Sequence, residues 1–111
     1  MSSKPVVQRT LAHEDVEQAI SHYQSIDHSN GSGSEVALGF VDELEMGYQH
    51  ISVNPATGSP RYAHELNLPG LRSWPLSKYP YLIFYVEHEQ HIEVWRVLHM
   101  AKDIADWMAR E

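Results

Sequence analysis

The chain has 111 residues, of which 42% are hydrophobic, and it contains no cysteine. These values are typical of one small globular domain spanning residues 1–111, and they exclude disulfide scaffolds, thiolate zinc sites and cysteine nucleophiles. Fifteen acidic residues against eight basic residues give a net charge of −7, which argues against unaided affinity for nucleic acid.

Two further features of the composition bound the function. The longest apolar run, residues 81–86, is far shorter than a membrane span, and no apolar segment of a secretory signal follows the first residues. We therefore expect a soluble, cytoplasmic protein. Residues 1–54 carry eight acids and two bases, whereas residues 55–111 carry seven acids and six bases. A surface that faces anions or acidic groups must therefore come from the second half.

The first half of the chain predicts a short strand and two amphipathic helices. Residues 5–9 favour β-structure, and Thr10 fits the N-cap of a helix whose apolar residues recur at three- and four-residue spacing. A Ser/Gly-rich loop is predicted over residues 28–34. Ser34 caps a second helix, which ends before Pro55. Two helices joined by so short a loop form an antiparallel hairpin. The acid run of the second helix is typical of a solvated face and comprises Asp42, Glu43 and Glu45.

The second half changes to the period of two that marks strands. Residues 54–61 have the composition of a loop, and strands are predicted over residues 71–76, 81–87 and 91–99. A final helix begins at about Ala101. The resulting order, β-α-α-β-β-β-α, predicts an α+β fold with an N-terminal helical hairpin packed on an antiparallel sheet and a short C-terminal helix.

Several stretches of the second half carry a family resemblance. They are the loop Asn-Pro-Ala-Thr-Gly at 54–58, Gly-Leu-Arg at 70–72, the Tyr-Pro stretch ending in Phe-Tyr at 79–85, and Arg-Val-Leu-His at 96–99 followed by Asp-Ile at 103–104. In these motifs, and in its element order, the chain resembles the ParE/RelE superfamily of toxins from type II toxin–antitoxin modules. The residues at 96–99, together with Asp103, are more similar to the motif of the ParE branch than to that of the RelE branch.

The resemblance to the ParE branch implies a toxin that inhibits DNA gyrase by contact, without bond-making chemistry and without a cofactor. It also implies a cognate antitoxin, ParD-like or other, whose disordered C-terminal segment folds onto the toxin in a hetero-oligomer. The antitoxin would use apolar surface of the helical hairpin and a sheet edge. The candidates for target contact are Arg72, Lys78, Lys102 and Trp107.

The RelE branch implies a different activity, metal-independent cleavage of mRNA in the ribosome. That chemistry needs a base, an acid and cations around one phosphate. Here His99 is the candidate acid or base, with Arg72 or Lys78 at the phosphate. A third hypothesis is a non-toxic or regulatory module on the same fold, because fold does not fix function.

Strand alternation favours structural roles for Arg96 and His99. Arg96 shares a strand face with Ile92, Val94 and Leu98, which we expect under the helices, so its guanidinium should be half-buried and paired with an acid of the hairpin. His99 lies on the other face and is expected to hold the turn into the last helix, through Asp103.

Two weaker hypotheses concern metal binding and RNA stacking. His88 and His91 flank a predicted hairpin turn, but two imidazoles alone rarely hold a metal, so we predict no metal site. Aromatic residues interleave with the basic residues of the second half, which is typical of a stacking platform for single-stranded RNA and equally of a packed strand core. We favour the core for these six side chains: Trp74, Tyr79, Tyr81, Phe84, Tyr85 and Trp95.

Overall fold

A computed structural model describes residues 3–25 and 33–109 of the chain. Its elements in chain order are β1 (Val6–Gln8), α1 (Thr10–Ser25), α2 (Gly33–Val53), a 3₁₀ turn (Pro55–Thr57), α3 (Arg61–Glu65), β2 (Leu71–Pro75), β3 (Tyr81–Glu87), β4 (Ile92–His99) and α4 (Ile104–Met108). The predicted α+β fold and its element order are confirmed. Most of the predicted loop at 28–34 lies outside the described residues, and its last two residues begin α2.

The four strands form one sheet in the order β1-β4-β3-β2. The pairs β2–β3 and β3–β4 are antiparallel, as predicted, but β1 joins β4 in parallel, so the sheet is mixed. The parallel pairing follows from the connection, because the helical hairpin carries the chain back across the sheet before β2 begins. The short helix α3 was not predicted, since its five residues are too few to give a helical period.

A bulge interrupts the alternation of β4. Phe84 lies opposite Arg96 while Tyr85 lies opposite Val94, so Trp95 has no direct partner on β3. Such an extra residue reverses which face the following side chains point to. The prediction that Val94 and Leu98 share the helix-facing side is therefore wrong.

The two faces of the sheet carry separate apolar clusters. The hairpin α1–α2 covers one face, where Phe40 and Ile51 pack with Ile83, Tyr85 and Val94. The helices α3 and α4 cover the other face, whose buried members are Leu71, Phe84, Leu98, Ile104 and Met108. Burial of both faces explains why β3 and β4 read as nearly continuous apolar runs.

A buried ion pair connects the two layers. Arg96 is predicted to pair with an acid of the hairpin, and that acid is Asp15 of α1. The guanidinium donates from Nε at 2.8 Å and from Nη2 at 2.7 Å to the two carboxylate oxygens. The Val97 N–H adds a third hydrogen bond to Asp15 at 3.0 Å, and Arg96 Nη1 donates to the Trp107 carbonyl of α4 at 2.7 Å. One side chain thus joins α1, β4 and α4.

We expect Asp15→Ala to destabilise the protein by about 3–5 kcal/mol, because it leaves the Arg96 charge buried without its carboxylate. The matched control is Glu17→Ala, since the Glu17 side chain is 66% exposed while that of Asp15 is 7% exposed. Urea unfolding measures both. Equal free energies of unfolding for the two variants would contradict the prediction.

The double variant Asp15→Leu with Arg96→Met separates the charge from the packing. An apolar pair of similar volume needs no desolvation of charge, so the double variant should be more stable than Asp15→Ala. If the double variant were less stable than Asp15→Ala, the prediction would be wrong, and the hydrogen bond from Arg96 to the Trp107 carbonyl would contribute more to stability than the relief of the unpaired charge.

Candidate functional site

The corner between β4 and α4 brings together several of the predicted site residues. The chain leaves β4 at His99 and turns into α4, and the turn is held by Met100 N–H to Pro80 O at 2.8 Å and Lys102 N–H to His99 O at 3.0 Å. Asp103 caps α4 by accepting a hydrogen bond from the Asp106 N–H at 3.2 Å. These bonds fix the positions of the side chains that follow.

His99 holds this turn through the backbone and not through Asp103. Its Nδ1 accepts a hydrogen bond from the Ala101 N–H at 3.0 Å, and its ring packs edge-on against Tyr81 at 5.1 Å. A ring nitrogen that accepts a hydrogen bond carries no proton, so Nε2 carries it. In this tautomer Nε2 donates and cannot accept a proton, which is the opposite of what a general base requires.

Lys102 and Trp107 are both half-buried and form the outer part of the site, named here the Lys102–Trp107 corner. The Lys102 ammonium lies 3.6 Å from the centroid of the Trp107 ring, within range of a cation–π interaction. The Arg96 guanidinium lies 5.7 Å from the same ring and binds the Trp107 carbonyl. The buried Arg96 therefore fixes the position of the Trp107 ring, and the Lys102 ammonium lies over that ring at the surface.

A groove of about 430 Å³ runs from α1 to the Lys102–Trp107 corner. Gln18 and His22 line it from α1, Tyr81 and His99 line it from the sheet, and Lys102 lines it from the turn before α4. Burial, with the nearby Tyr23 phenol and Asp15 carboxylate, raises the pKa of Tyr81 to about 12. Tyr81 therefore keeps its proton at neutral pH and is not a base in this groove.

Arg72 lies elsewhere in the structure. Its Nη1 donates to the carbonyls of Ala56 at 3.1 Å and Gly58 at 2.7 Å, so it ties the loop after α2 to β2. The neighbouring Tyr85 supports the same loop, because its hydroxyl donates to Pro55 O at 2.6 Å and accepts from the Gly58 N–H at 3.1 Å. Arg72 thus has a structural role in holding this loop.

The register of the sheet separates the three residues of the RNA-cleavage hypothesis. Arg72 lies opposite Tyr85, near the start of the edge strand β2, whereas His99 ends β4 opposite Tyr81. Lys78 is exposed in the β2–β3 turn, with a φ of 72°. The turn precedes Pro80, which binds Met100, so Lys78 and His99 share one end of the sheet and Arg72 does not.

The histidines near the β3–β4 turn belong to a surface ion network. The rings of His88 and His91 stack with 4.6 Å between centroids, and His88 Nε2 lies 2.8 Å from Glu93 Oε1. Glu93 also accepts hydrogen bonds from Arg9 at 2.8 Å and Trp95 at 3.1 Å. Over residues 3–25 and 33–109, no three or more metal-ligating side chains are grouped so that they would hold an ion.

The strand aromatics divide between core and surface. Tyr81, Phe84 and Tyr85 are buried, as expected for a strand core, while the others are half-buried. Trp74 stacks on His50 with ring centroids 4.0 Å apart.

No helix of the described part of the chain is long and apolar enough to cross a membrane.

Sequence reasoning missed the contribution of α1 to the groove. Asp15, Gln18 and His22 line it from this helix. The signal was available, because residues three and seven positions apart lie on one face of a helix. What the sequence did not contain was the position of that face relative to the end of β4.

Comparisons with known proteins agree on one kind of relative. A family described as the ParE toxin of the type II toxin-antitoxin system, parDE, matches residues 12–104. A solved chain of a chromosomal ParDE TA system from P. aeruginosa is similar with a TM-score of 0.68 and 19% identity, covering 87% of this chain and 96% of that chain. The comparison with curated proteins returned no match.

A pH prediction follows from the Glu93 network. Burial raises the pKa of Glu93, but hydrogen bonds from Arg9, His88 and Trp95 outweigh it and hold that pKa at about 2, against 4.5 ordinarily. The stabilising contribution of the ionised carboxylate is therefore complete above about pH 4.5 and is lost as the pH falls towards 2. We expect the free energies of unfolding of the wild type and Glu93→Gln to converge over this window, by about 1–2 kcal/mol for a partly exposed group.

Denaturant unfolding at several pH values measures this convergence. The baseline is Glu89→Gln, which removes a carboxylate from the exposed turn without touching Arg9 or His88. If the difference in free energy of unfolding between the wild type and Glu93→Gln stayed constant from pH 5 to pH 2, the prediction would be wrong.

The second prediction from the site separates Arg72 from Lys78. Arg72→Met removes the donor of two loop carbonyls and should cost about 1–2 kcal/mol. Lys78→Met removes an exposed charge with no described hydrogen bond and should cost less than about 0.5 kcal/mol. Urea unfolding of the two variants tests the difference, and similar losses would show that Arg72 does not hold the loop.

Proposed function

Because this chain belongs to the ParE toxin family of type II toxin–antitoxin systems, we propose that it inhibits DNA gyrase by protein–protein contact. A cognate antitoxin would hold it inactive in the cytoplasm, as a hetero-oligomer. The single observation that carries the choice of a contact inhibitor is the Lys102–Trp107 corner, where a surface cation rests on an aromatic ring fixed by a buried guanidinium.

This corner has the properties of an anchor for a protein interface. Aromatic and cationic side chains that are already held in place lose little conformational entropy on binding, and tryptophan is enriched among the residues that dominate binding energy. Lys102 extends from a hydrogen-bonded turn, and Trp107 lies on α4. Lys78 lies at the same end of the sheet and would extend the contact.

The geometry gives less support to ribosome-dependent RNA cleavage. Such cleavage needs an acid, a base and cations around one phosphate. Of the candidates, Arg72 is engaged with the loop carbonyls of Ala56 and Gly58, and His99 accepts the Ala101 N–H with the nitrogen that a base would use. These contacts support a toxin that does no covalent chemistry.

The experiment combines both targets. Antitoxin-free protein is added to gyrase supercoiling and DNA-cleavage assays, and in parallel to ribosomes translating a defined mRNA. We expect loss of supercoiling, trapped cleaved DNA and intact mRNA. Intact gyrase activity with mRNA cut in the ribosome would replace the proposal with the RNA-cleavage hypothesis, and no effect in either assay would favour the regulatory module.

A variant pair tests the contact surface itself. Lys102→Glu should weaken gyrase inhibition at least about tenfold, because it replaces the cation that lies over the Trp107 ring by an anion. Arg61→Glu is the control, since it reverses an exposed cation on α3 whose side chain pairs with Glu65 and lies over the Tyr62 ring. Equal loss in both variants would indicate a general effect of net charge and would contradict a specific corner.

A further inference from the structure

Most lysine and arginine side chains of this protein already bind a carboxylate or a carbonyl of the same chain. Within residues 3–25 and 33–109, four of them form ion pairs: Lys4, Arg9, Arg61 and Arg96. Arg72 donates to two loop carbonyls instead. Lys78 and Lys102 form no ion pair with any acid of this part of the chain. Of these two, Lys102 is half-buried and lines the groove between α1 and the Lys102–Trp107 corner.

Three more side chains that can donate hydrogen bonds line this groove, which is named here the His22–His99 groove. His99 uses Nδ1 to accept the Ala101 N–H at 3.0 Å, so its Nε2 carries the proton, and no acceptor for that proton lies within the described residues. Gln18 and His22 are exposed on α1, and neither side chain forms a hydrogen bond within the same ranges. Counted with Lys102, four donor side chains of the groove therefore have no acceptor in the part of the chain that the structure describes.

Asp15 is the one acid among the described residues that line the groove, and its charge is already balanced. Both of its oxygens accept hydrogen bonds from Arg96, and one of them also accepts the Val97 N–H at 3.0 Å. The groove therefore keeps the positive charge of Lys102, although the whole chain carries a net charge of −7. A cation among neutral N–H donors binds a carboxylate through charge-assisted hydrogen bonds, since an ionised carboxylate only accepts.

We propose that the His22–His99 groove binds the carboxylate of an aspartate or glutamate side chain that DNA gyrase presents. Lys102 supplies the charge, and His99 Nε2–H, His22 and Gln18 supply the neutral donors. The inference rests on the proposed function in that it takes gyrase as the target, and it adds the type of residue that the target places here. A single carboxylate suits the groove better than nucleic acid does, because a phosphate backbone requires a row of cations and the described lining contains one lysine.

The test measures the affinity of the purified protein for DNA-free gyrase. Gln18→Glu keeps the shape of the side chain and places a second carboxylate beside the incoming one, so this variant should bind at least about tenfold more weakly than the wild type. Gln49→Glu is the matched control, because it makes the same change of charge at an exposed position of α2 that does not line the groove. We expect the control to bind within about twofold of the wild type.

A second pair of variants removes a donor and adds no charge. His22→Ala should weaken binding to gyrase about fivefold, because the carboxylate loses one hydrogen bond. His13→Ala is the control on the same helix, where the His13 side chain is 61% exposed, and it should change the affinity less than about twofold. Urea unfolding of all four variants shows whether a loss of affinity comes from a loss of folding.

The outcomes distinguish this inference from the proposed function. If Gln18→Glu and His22→Ala bound gyrase as tightly as the wild type, the groove would be overturned as a carboxylate site, while inhibition by the wild type would still support the proposed function. A wild type that neither binds nor inhibits gyrase would overturn both. If the two variants lost affinity only for gyrase that carries DNA, a phosphate of the DNA would occupy the groove and the protein carboxylate would be the wrong ligand.

Discussion

The ion pair between Asp15 and Arg96 determines how the two layers of this structure meet. A guanidinium that is 3% exposed requires a carboxylate and further acceptors, so α1 must present Asp15 at the middle of β4 and α4 must bring the Trp107 carbonyl to the third donor group. The groove beside α1 and the position of the half-buried Trp107 ring on α4 both follow from that requirement. An interaction inside the core thus positions the surface to which function is assigned.

The surface that results is divided by charge. The hairpin side has acids and apolar side chains, whereas the end of the sheet at Lys78 and Lys102 presents cations. Two partners of different chemistry therefore have separate surfaces available to them.

The sequence contained most of the fold and only part of the site. Helical and strand periods located α1, α2 and the last three strands, because each of these elements buries one continuous apolar face. The five residues of α3 gave no period, and the parallel placement of β1 depends on contacts distant in sequence. Strand alternation correctly led to a hairpin acid for Arg96, but it failed at Leu98 because no local signal marks the bulge at Trp95. The Gly-Leu-Arg motif indicated Arg72 as a candidate for target contact. Its hydrogen bonds to the carbonyls of Ala56 and Gly58 could not be predicted, because they depend on how the loop after α2 folds over β2.

The bulge at Trp95 also bears on how this strand tolerates changes in length. Because Trp95 is unpaired, the alternation shifts by one residue at this point: even-numbered side chains face the hairpin before the bulge (Ile92 and Val94), and the odd-numbered Val97 faces it after the bulge. Deleting Trp95 would pair Val94, Arg96 and Val97 with three consecutive residues of β3 and leave Val97, Leu98 and His99 on the faces they have now. Inserting one more residue there would instead enlarge the bulge, or turn these three side chains to the opposite faces. A homologous chain that is one residue shorter at this point can therefore keep the same core on both faces of the sheet.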